Sequence, residues 1–228
     1  MRVFFVVICL LLSTKSLADQ TLEQLELLSY RLSSSFGAFI FFEGQQDYLQ
    51  RAEQNLSRGS ELLTHIEGQH PDIHKLWHQA EDFIEQNTHR SFEGVDMTLE
   101  ASWSLLTLEL QEKISKLTAQ NYSSPAVKLQ VELEQILVHY MKFANSTVGG
   151  YGVSLSHKTI EQRVADAQQL LNENFAEQRQ LQRKWNYIKR TVLAYNSNTA
   201  PYIVIKVFDD MRELVRQPSE SASALAAS

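Results

Sequence analysis

The chain is poor in the residues that interrupt or cross-link a fold. Among 228 residues there are one cysteine, four prolines and eight glycines. A single cysteine excludes a disulfide framework and a thiolate zinc site, and the Cys-x-x-Cys-His haem motif is absent. Few Gly and Pro argue against an all-β fold with many turns, and against a collagen-like or linker-rich chain. Positive charge is in deficit, with 21 Lys and Arg against 27 Asp and Glu. An acidic balance of −6 disfavours general binding to nucleic acid or anionic membranes, both of which select basic patches. The longest apolar run, Val3–Leu12, is well short of the ~20 residues of a membrane-spanning helix. A Gly-x-Ser-x-Gly elbow, a phosphate loop and a His-Glu-x-x-His pair are missing, so no enzyme class and no cofactor is indicated.

What is present at the N-terminus reads as a secretory leader. Arg2 supplies the positive start, Val3–Leu12 the apolar centre, and Ser16-Leu17-Ala18 the small residues before a cut between Ala18 and Asp19. Removal of residues 1–18 takes Arg2, Lys15 and Cys9, which leaves a cysteine-free and more acidic mature chain. The leader is compact and of bacterial style. It predicts a periplasmic protein without stable membrane insertion after cleavage; the alternative is a leader retained as a membrane anchor, which the shortness of the apolar run disfavours.

Downstream, apolar residues recur every three or four positions, the helical period. The pattern predicts an all-α fold of about eight helices. Thr21-x-x-Gln24 reads as a capping box opening the first, which runs toward Phe42 and breaks at Gly44. Leu49, Ala52, Leu56, Gly59, Leu63 and Ile66 make a narrow seam on the second. Ile73, Leu76, Ala80 and Phe83 share a face on the third, and Val95–Leu117 is a fourth. Ser124-Pro125 is an N-cap with proline in the first turn, opening a fifth that runs to about Asn145. The Gly149-Gly150-Tyr151-Gly152 stretch is a turn. Thr159 with Gln162 opens a sixth, whose seam is Ile160, Val164, Ala167, Leu171 and Phe175. The seventh carries Leu181, Trp185, Ile188 and Val192, and Pro201 to Arg216 is the eighth.

The second half repeats the layout of the first. The step from Trp77 to Trp185 is also the step from Leu62-Leu63 to Leu170-Leu171, and Tyr30 and Tyr140 close two similar openings. The expected organisation is two tandem, internally duplicated antiparallel bundles, at 19–120 and 121–217, followed by a disordered tail at 218–228. The seams at 49–66 and 160–175 read first as core stripes, since most amphipathic helices face their own core, with packing on a partner chain, including a second copy, as the alternative.

Leu28-Ser29-Tyr30-Arg31-Leu32 resembles the Leu-Ser-Gln-Arg-Met core of the PilJ-type periplasmic sensor domain of type IV pilus chemotransducers and nitrate sensors. Gly44, the Leu49–Leu63 seam and Trp77 occupy places comparable to that family's later features. The resemblance is confined to the first half, because Val138-His139-Tyr140-Met141-Lys142 has neither the serine nor the arginine. It implies a helical-bundle relative without the family's transmembrane and signalling segments. It also implies that Arg31, with Ser29 and Tyr30, holds a small anion. A guanidinium suits an oxyanion because it can donate two parallel hydrogen bonds.

His70, His74 and His78 are four apart, with Asp82 four further on, a spacing that suits either a metal stripe or a solvated helix face. Pro71 places His70 in the preceding turn, and no metal ligand is assigned. Phe36, Phe39, Ile40, Phe41 and Phe42 suit a buried cluster. The resulting expectation is a non-enzymatic binding protein of the bacterial envelope that docks a partner protein along an exposed apolar seam. The alternatives are a sensor of a small anion or metabolite through Ser29, Tyr30 and Arg31, and a metal- or cofactor-handling protein using His70, His74 and His78.

Overall fold

The computed structural model describes residues 17–66, 68–89, 96–119, 121–146, 159–197 and 199–216. The leader up to residue 16, the glycine turn at 149–152 and the tail at 218–228 lie outside the described residues. The described chain is all-α, with no strand. Its helices are α1 (Leu17–Phe41), α2 (Gln46–Thr64), α3 (Pro71–Asn87), α4 (Met97–Thr118), α5 (Pro125–Asn145), α6 (Ile160–Asn174), α7 (Arg179–Leu193) and α8 (Pro201–Arg216).

Several helix starts follow from local chemistry. Ser124 Oγ accepts from the Val127 amide, with Pro125 in the first turn. Thr159 and Gln162 close both arms of a capping box. Asp96 accepts from the Leu99 amide at the start of α4. The Thr21-x-x-Gln24 signal does not start a helix. Leu17, Ala18 and Gln20 favour helix, so α1 is already under way and Thr21 is buried inside it. Between α1 and α2, Glu43 and Gly44 both take left-handed backbone, and the Gly44 amide returns to the Phe39 carbonyl.

Each half closes into a ring of four helices. In the first, α1 packs on α2 and α4, and α3 joins α4 and α2; in the second, α5 packs on α6 and α8, and α7 joins α8 and α6. The halves meet along α1 and α5. These two run parallel, since Glu23 pairs with Ser123, Arg31 with Glu134, and Gly37 with Asn145. A single apolar core runs through both halves. The bundles are therefore fused along a two-helix spine. Each spine helix has neighbours on three sides, which is why α1 buries Leu22, Leu25, Leu28, Leu32, Phe36 and Phe39 with little polar face to spare.

The repetition is clearest away from the spine. Ile73, Trp77, Ala80 and Ile84 of α3 recur as Leu181, Trp185, Ile188 and Val192 of α7, and all eight are buried. Trp77 Nε1 donates to Ser60 Oγ on α2, and Trp185 Nε1 donates to Gln168 Oε1 on α6. Both acceptors lie 17 positions upstream of their indole. Tyr30 and Tyr140 differ. Tyr30 joins a small cluster with Leu27, Val131, Val138 and Tyr122. Tyr140 is fully buried in the main core, where its hydroxyl accepts from the Ala200 amide at 2.6 Å.

The seams point inward. Leu49, Ala52, Leu56, Leu63 and Ile66 are core residues, as are Ile160, Val164, Ala167, Leu171 and Phe175. Neither seam is the exposed docking stripe expected from the sequence, because each helix spends its one apolar face on its own bundle. The phenylalanines behave likewise: Phe36 packs against Phe39, Phe83 and Trp103.

Gly59 lies where the Trp77 indole crosses α2. A Cβ there would fall on ring carbons Cζ2 and Cη2. Gly59→Ala is expected to destabilise the protein by about 1–3 kcal/mol, despite the better helix propensity of alanine. Urea unfolding measures it, and a variant as stable as the parent would show that the buried indole has room to shift.

Candidate ligand groove between the bundles

Among the described residues, helices of different bundles face each other across a groove beside the spine. Helices α2 and α8 flank it, and α1 and α5 form its floor. The floor is organised by Glu134 of α5, which is fully buried. Arg31 of α1 donates Nε–H to Glu134 Oε1 at 2.9 Å, and Arg212 of α8 donates Nη2–H to Oε2 at 2.7 Å. Arg212 Nε lies 2.6 Å from Oε1 as an ion pair, without the alignment of a hydrogen bond. Arg212 also pairs with Asp209, and Asp209 with Arg51 of α2 at 2.8 Å, so the chain of charges crosses the groove.

Burial pushes the Glu134 carboxyl up, but Arg212 and Arg31 outweigh it and hold the group below the usual carboxylate range. Burial lowers Arg212 as well, and Glu134 and Asp209 more than offset that. For Arg31, burial is the larger effect and leaves its pKa below the usual arginine value, with Glu134 opposing. The arrangement is a buried carboxylate shared by two guanidiniums, with Gln130 Oε1 accepting from Arg31 Nη2 at 3.0 Å.

The three consecutive residues singled out from the sequence point in different directions, as successive positions on a helix must. Ser29 is fully buried and donates to the Glu26 carbonyl, while its own carbonyl accepts from Gln111 on α4. Tyr30 turns toward α5. Arg31 alone reaches the groove.

The groove has two lobes. The larger, about 470 Å³, is lined by Arg31, Arg58 and Arg216, by Gln24, Gln130 and Glu61, and by Leu27, Leu28, Leu62 and Val127. The smaller, about 270 Å³, adds Ser35, Arg51, Gln54, Asn55, Asp209, Asp210, Arg212 and Glu213. Arg31, Arg58 and Arg216 line both. Arg58 is exposed and forms no ion pair among the described residues.

A second polar cluster lies where α1, the end of α4 and the start of α5 meet. Glu26 accepts from Thr118 Oγ1 at 2.8 Å and from the Tyr122 hydroxyl at 3.2 Å. Burial raises its pKa to about 7, against the lowering effect of those two hydrogen bonds, and Glu132 and Glu23 add to the rise. The histidine stripe does not assemble. His70 sits before α3 in left-handed backbone, and exposed His78 pairs with Glu81. Among the described residues no group of three or more His, Cys, Asp or Glu side chains suits a metal ion. No helix there is long and apolar enough to cross a membrane.

Two fully buried acids lie outside the residues singled out from the sequence. Glu26 lies in Leu25-Glu26-Leu27-Leu28 and Glu134 in Leu133-Glu134-Gln135-Ile136, and both are buried. Glu26, with a leucine on each side, carried a signal in the sequence, whereas Glu134 has Leu133 before it and the polar Gln135 after it. Arg58 and Arg212 carried none, since their importance comes from helices remote in sequence. Compared with known proteins, the chain matches no family model, no curated protein and no solved structure, so the geometry carries the functional argument alone.

Glu134→Gln leaves two buried guanidiniums sharing no anion at that position. It is expected to cost roughly 3–5 kcal/mol in urea unfolding, and Arg212→Met in the same background should recover part of the loss. An unchanged midpoint for Glu134→Gln would remove the triad from the account. Glu26 makes a pH prediction. Its folded pKa, about 7, lies above the ordinary 4.5, so the folded state binds the proton more tightly. Its stabilising contribution is therefore complete below the ordinary value and is lost as pH rises through about 7. Unfolding free energy should fall over that window, and Glu26→Gln should flatten the fall; equal slopes in parent and variant would contradict it.

Proposed function

We propose that the protein is an exported recognition protein that binds an anionic group in the groove between its two bundles, and that it acts by binding rather than catalysis. The observation that carries this reading is the larger lobe, where three arginines face one carboxylate, Glu61, in a chain of net charge −6. A cluster of guanidinium donors, of which Arg58 is unpaired among the described residues, is what an anion site offers in an acidic chain. Arg31, with its charge balanced by Glu134, serves as a fixed donor on the floor. Arg58 and Arg216 supply the attraction. Arg216 is shared with Glu213, and Arg58 is uncommitted among the described residues.

The leader pattern of residues 1–18 supports a periplasmic location. The resemblance to periplasmic sensor domains agrees with this reading at one position, Arg31. Docking of a partner helix along the seams of α2 and α6 loses its support, because those seams are internal.

A binder of this kind gains thermal stability from its ligand by mass action, about 2.7 kcal/mol at a hundredfold excess over Kd. For a protein of this size that is a rise in Tm of several degrees. A panel of inorganic and organic anions should contain at least one that raises Tm. Arg58→Ala should abolish the rise while leaving the ligand-free Tm unchanged, because the side chain is exposed and unpaired among the described residues. A panel without any stabilising anion, or a full response from Arg58→Ala, would overturn the proposal.

A further inference from the structure

The larger lobe is more than an anion site, and its walls restrict the ligand. This inference rests on the anion-groove reading above. We infer that the lobe takes a singly charged organic acid with an apolar body, a carboxylate carrying an aliphatic chain of medium length, rather than an inorganic oxyanion.

Three observations lead there. The first is volume. The lobe holds about 470 Å³, within the range of pockets for organic ligands, whereas an inorganic tetrahedral anion would leave most of it to water. The second is the division of its surface. Leu62 of α2 and Val127 of α5, both part-exposed, give hydrocarbon beside the edges of buried Leu27 and Leu28 of α1, while Arg58 and Arg216 come from the flanking helices. A ligand with a charged head and an apolar body matches both parts at once, and an anion without hydrocarbon leaves the aliphatic wall wet.

The third is the polarity of the floor. Gln130 is buried, and its Oε1 accepts from Arg31 Nη2. Because a guanidinium only donates, this bond fixes the amide orientation and leaves Nε2 as the free end. Arg31 uses Nε and one Nη2 hydrogen on Glu134 and Gln130 and keeps further N–H groups. The floor therefore offers donors to the lobe, and Glu61 at the exposed edge is its one carboxylate. A lone carboxylate head suits a floor whose charge is already balanced by Glu134, with net attraction left to Arg58 and Arg216.

Calorimetric titration of the whole mature protein with acetate, hexanoate, octanoate and decanoate tests this, with inorganic phosphate and the neutral alcohol decanol as controls. Each added methylene buried against the wall should tighten binding by roughly three- to fourfold until the lobe is full. Arg58→Ala should weaken every carboxylate by a similar factor, and Leu62→Ser should flatten the dependence on chain length while sparing acetate. Phosphate or acetate binding as tightly as decanoate would overturn the inference and leave the anion groove standing. Decanol binding as tightly as decanoate would overturn both, as would no binding by any probe.

Discussion

Burying one carboxylate in the spine constrains the rest of the molecule. Glu134 is fully enclosed, so it is tolerable only with partners that neutralise it and occupy its lone pairs. Those partners come from α1 and α8, in different bundles. A buried ion pair of this kind is weak evidence for stability, since desolvation consumes much of the attraction. Its stronger effect is on register. Sliding α1 along α5 by one turn, about 5.4 Å, would part Arg31 from Glu134 and leave the carboxylate with Arg212 alone. Apolar contacts along the same interface tolerate such a slip far better, because one leucine replaces another. The spine is thus aligned by charge and filled by hydrocarbon.

That alignment explains why the two halves are alike at their edges and unlike at their junction. Trp77 and Trp185 each lie across one preceding helix and donate to an acceptor at the same spacing. A four-helix ring imposes the same demands on both. The spine helices face each other and receive different demands. Tyr30 serves the surface between α1 and α5, whereas Tyr140 serves the interior of its own bundle and receives the amide of Ala200. The halves differ at the spine, where α1 and α5 must be complementary to each other and not alike.

The same distinction decides what was legible in the sequence. Helix boundaries depend on a few adjacent residues, so Ser124-Pro125 and Thr159 with Gln162 mark α5 and α6 without any tertiary knowledge. Thr21 misleads because the same chemistry occurs inside a helix that had already begun. The Trp77 and Trp185 faces were visible as a period and proved to be core. The groove was not legible. Arg31 stood out by resemblance, but its acid partner and Arg212 lie about a hundred and nearly two hundred positions away. Ser29 and Tyr30, its neighbours in sequence, are turned elsewhere by the helix.

The position of the groove follows from where the chain ran out of ways to close itself. Inside each ring the space is filled by Trp77, Trp103, Trp185 and Phe208, all essentially inaccessible. Between α2 and α8 no such filling occurs, because each has already spent its apolar face on its own spine helix. Among the described residues the ion pair across their polar faces is Arg51 with Asp209, a half-exposed pair of the kind that contributes about 0–1 kcal/mol. The spacing of α2 and α8 is therefore held by the spine and only lightly by direct contact. A molecule held between Arg58 of α2 and Arg216 of α8 would touch both bundles while meeting little resistance from bonds across the gap. Recognition at that place would couple occupancy to the disposition of two bundles joined along the spine, and occupancy of a pocket inside either ring would not.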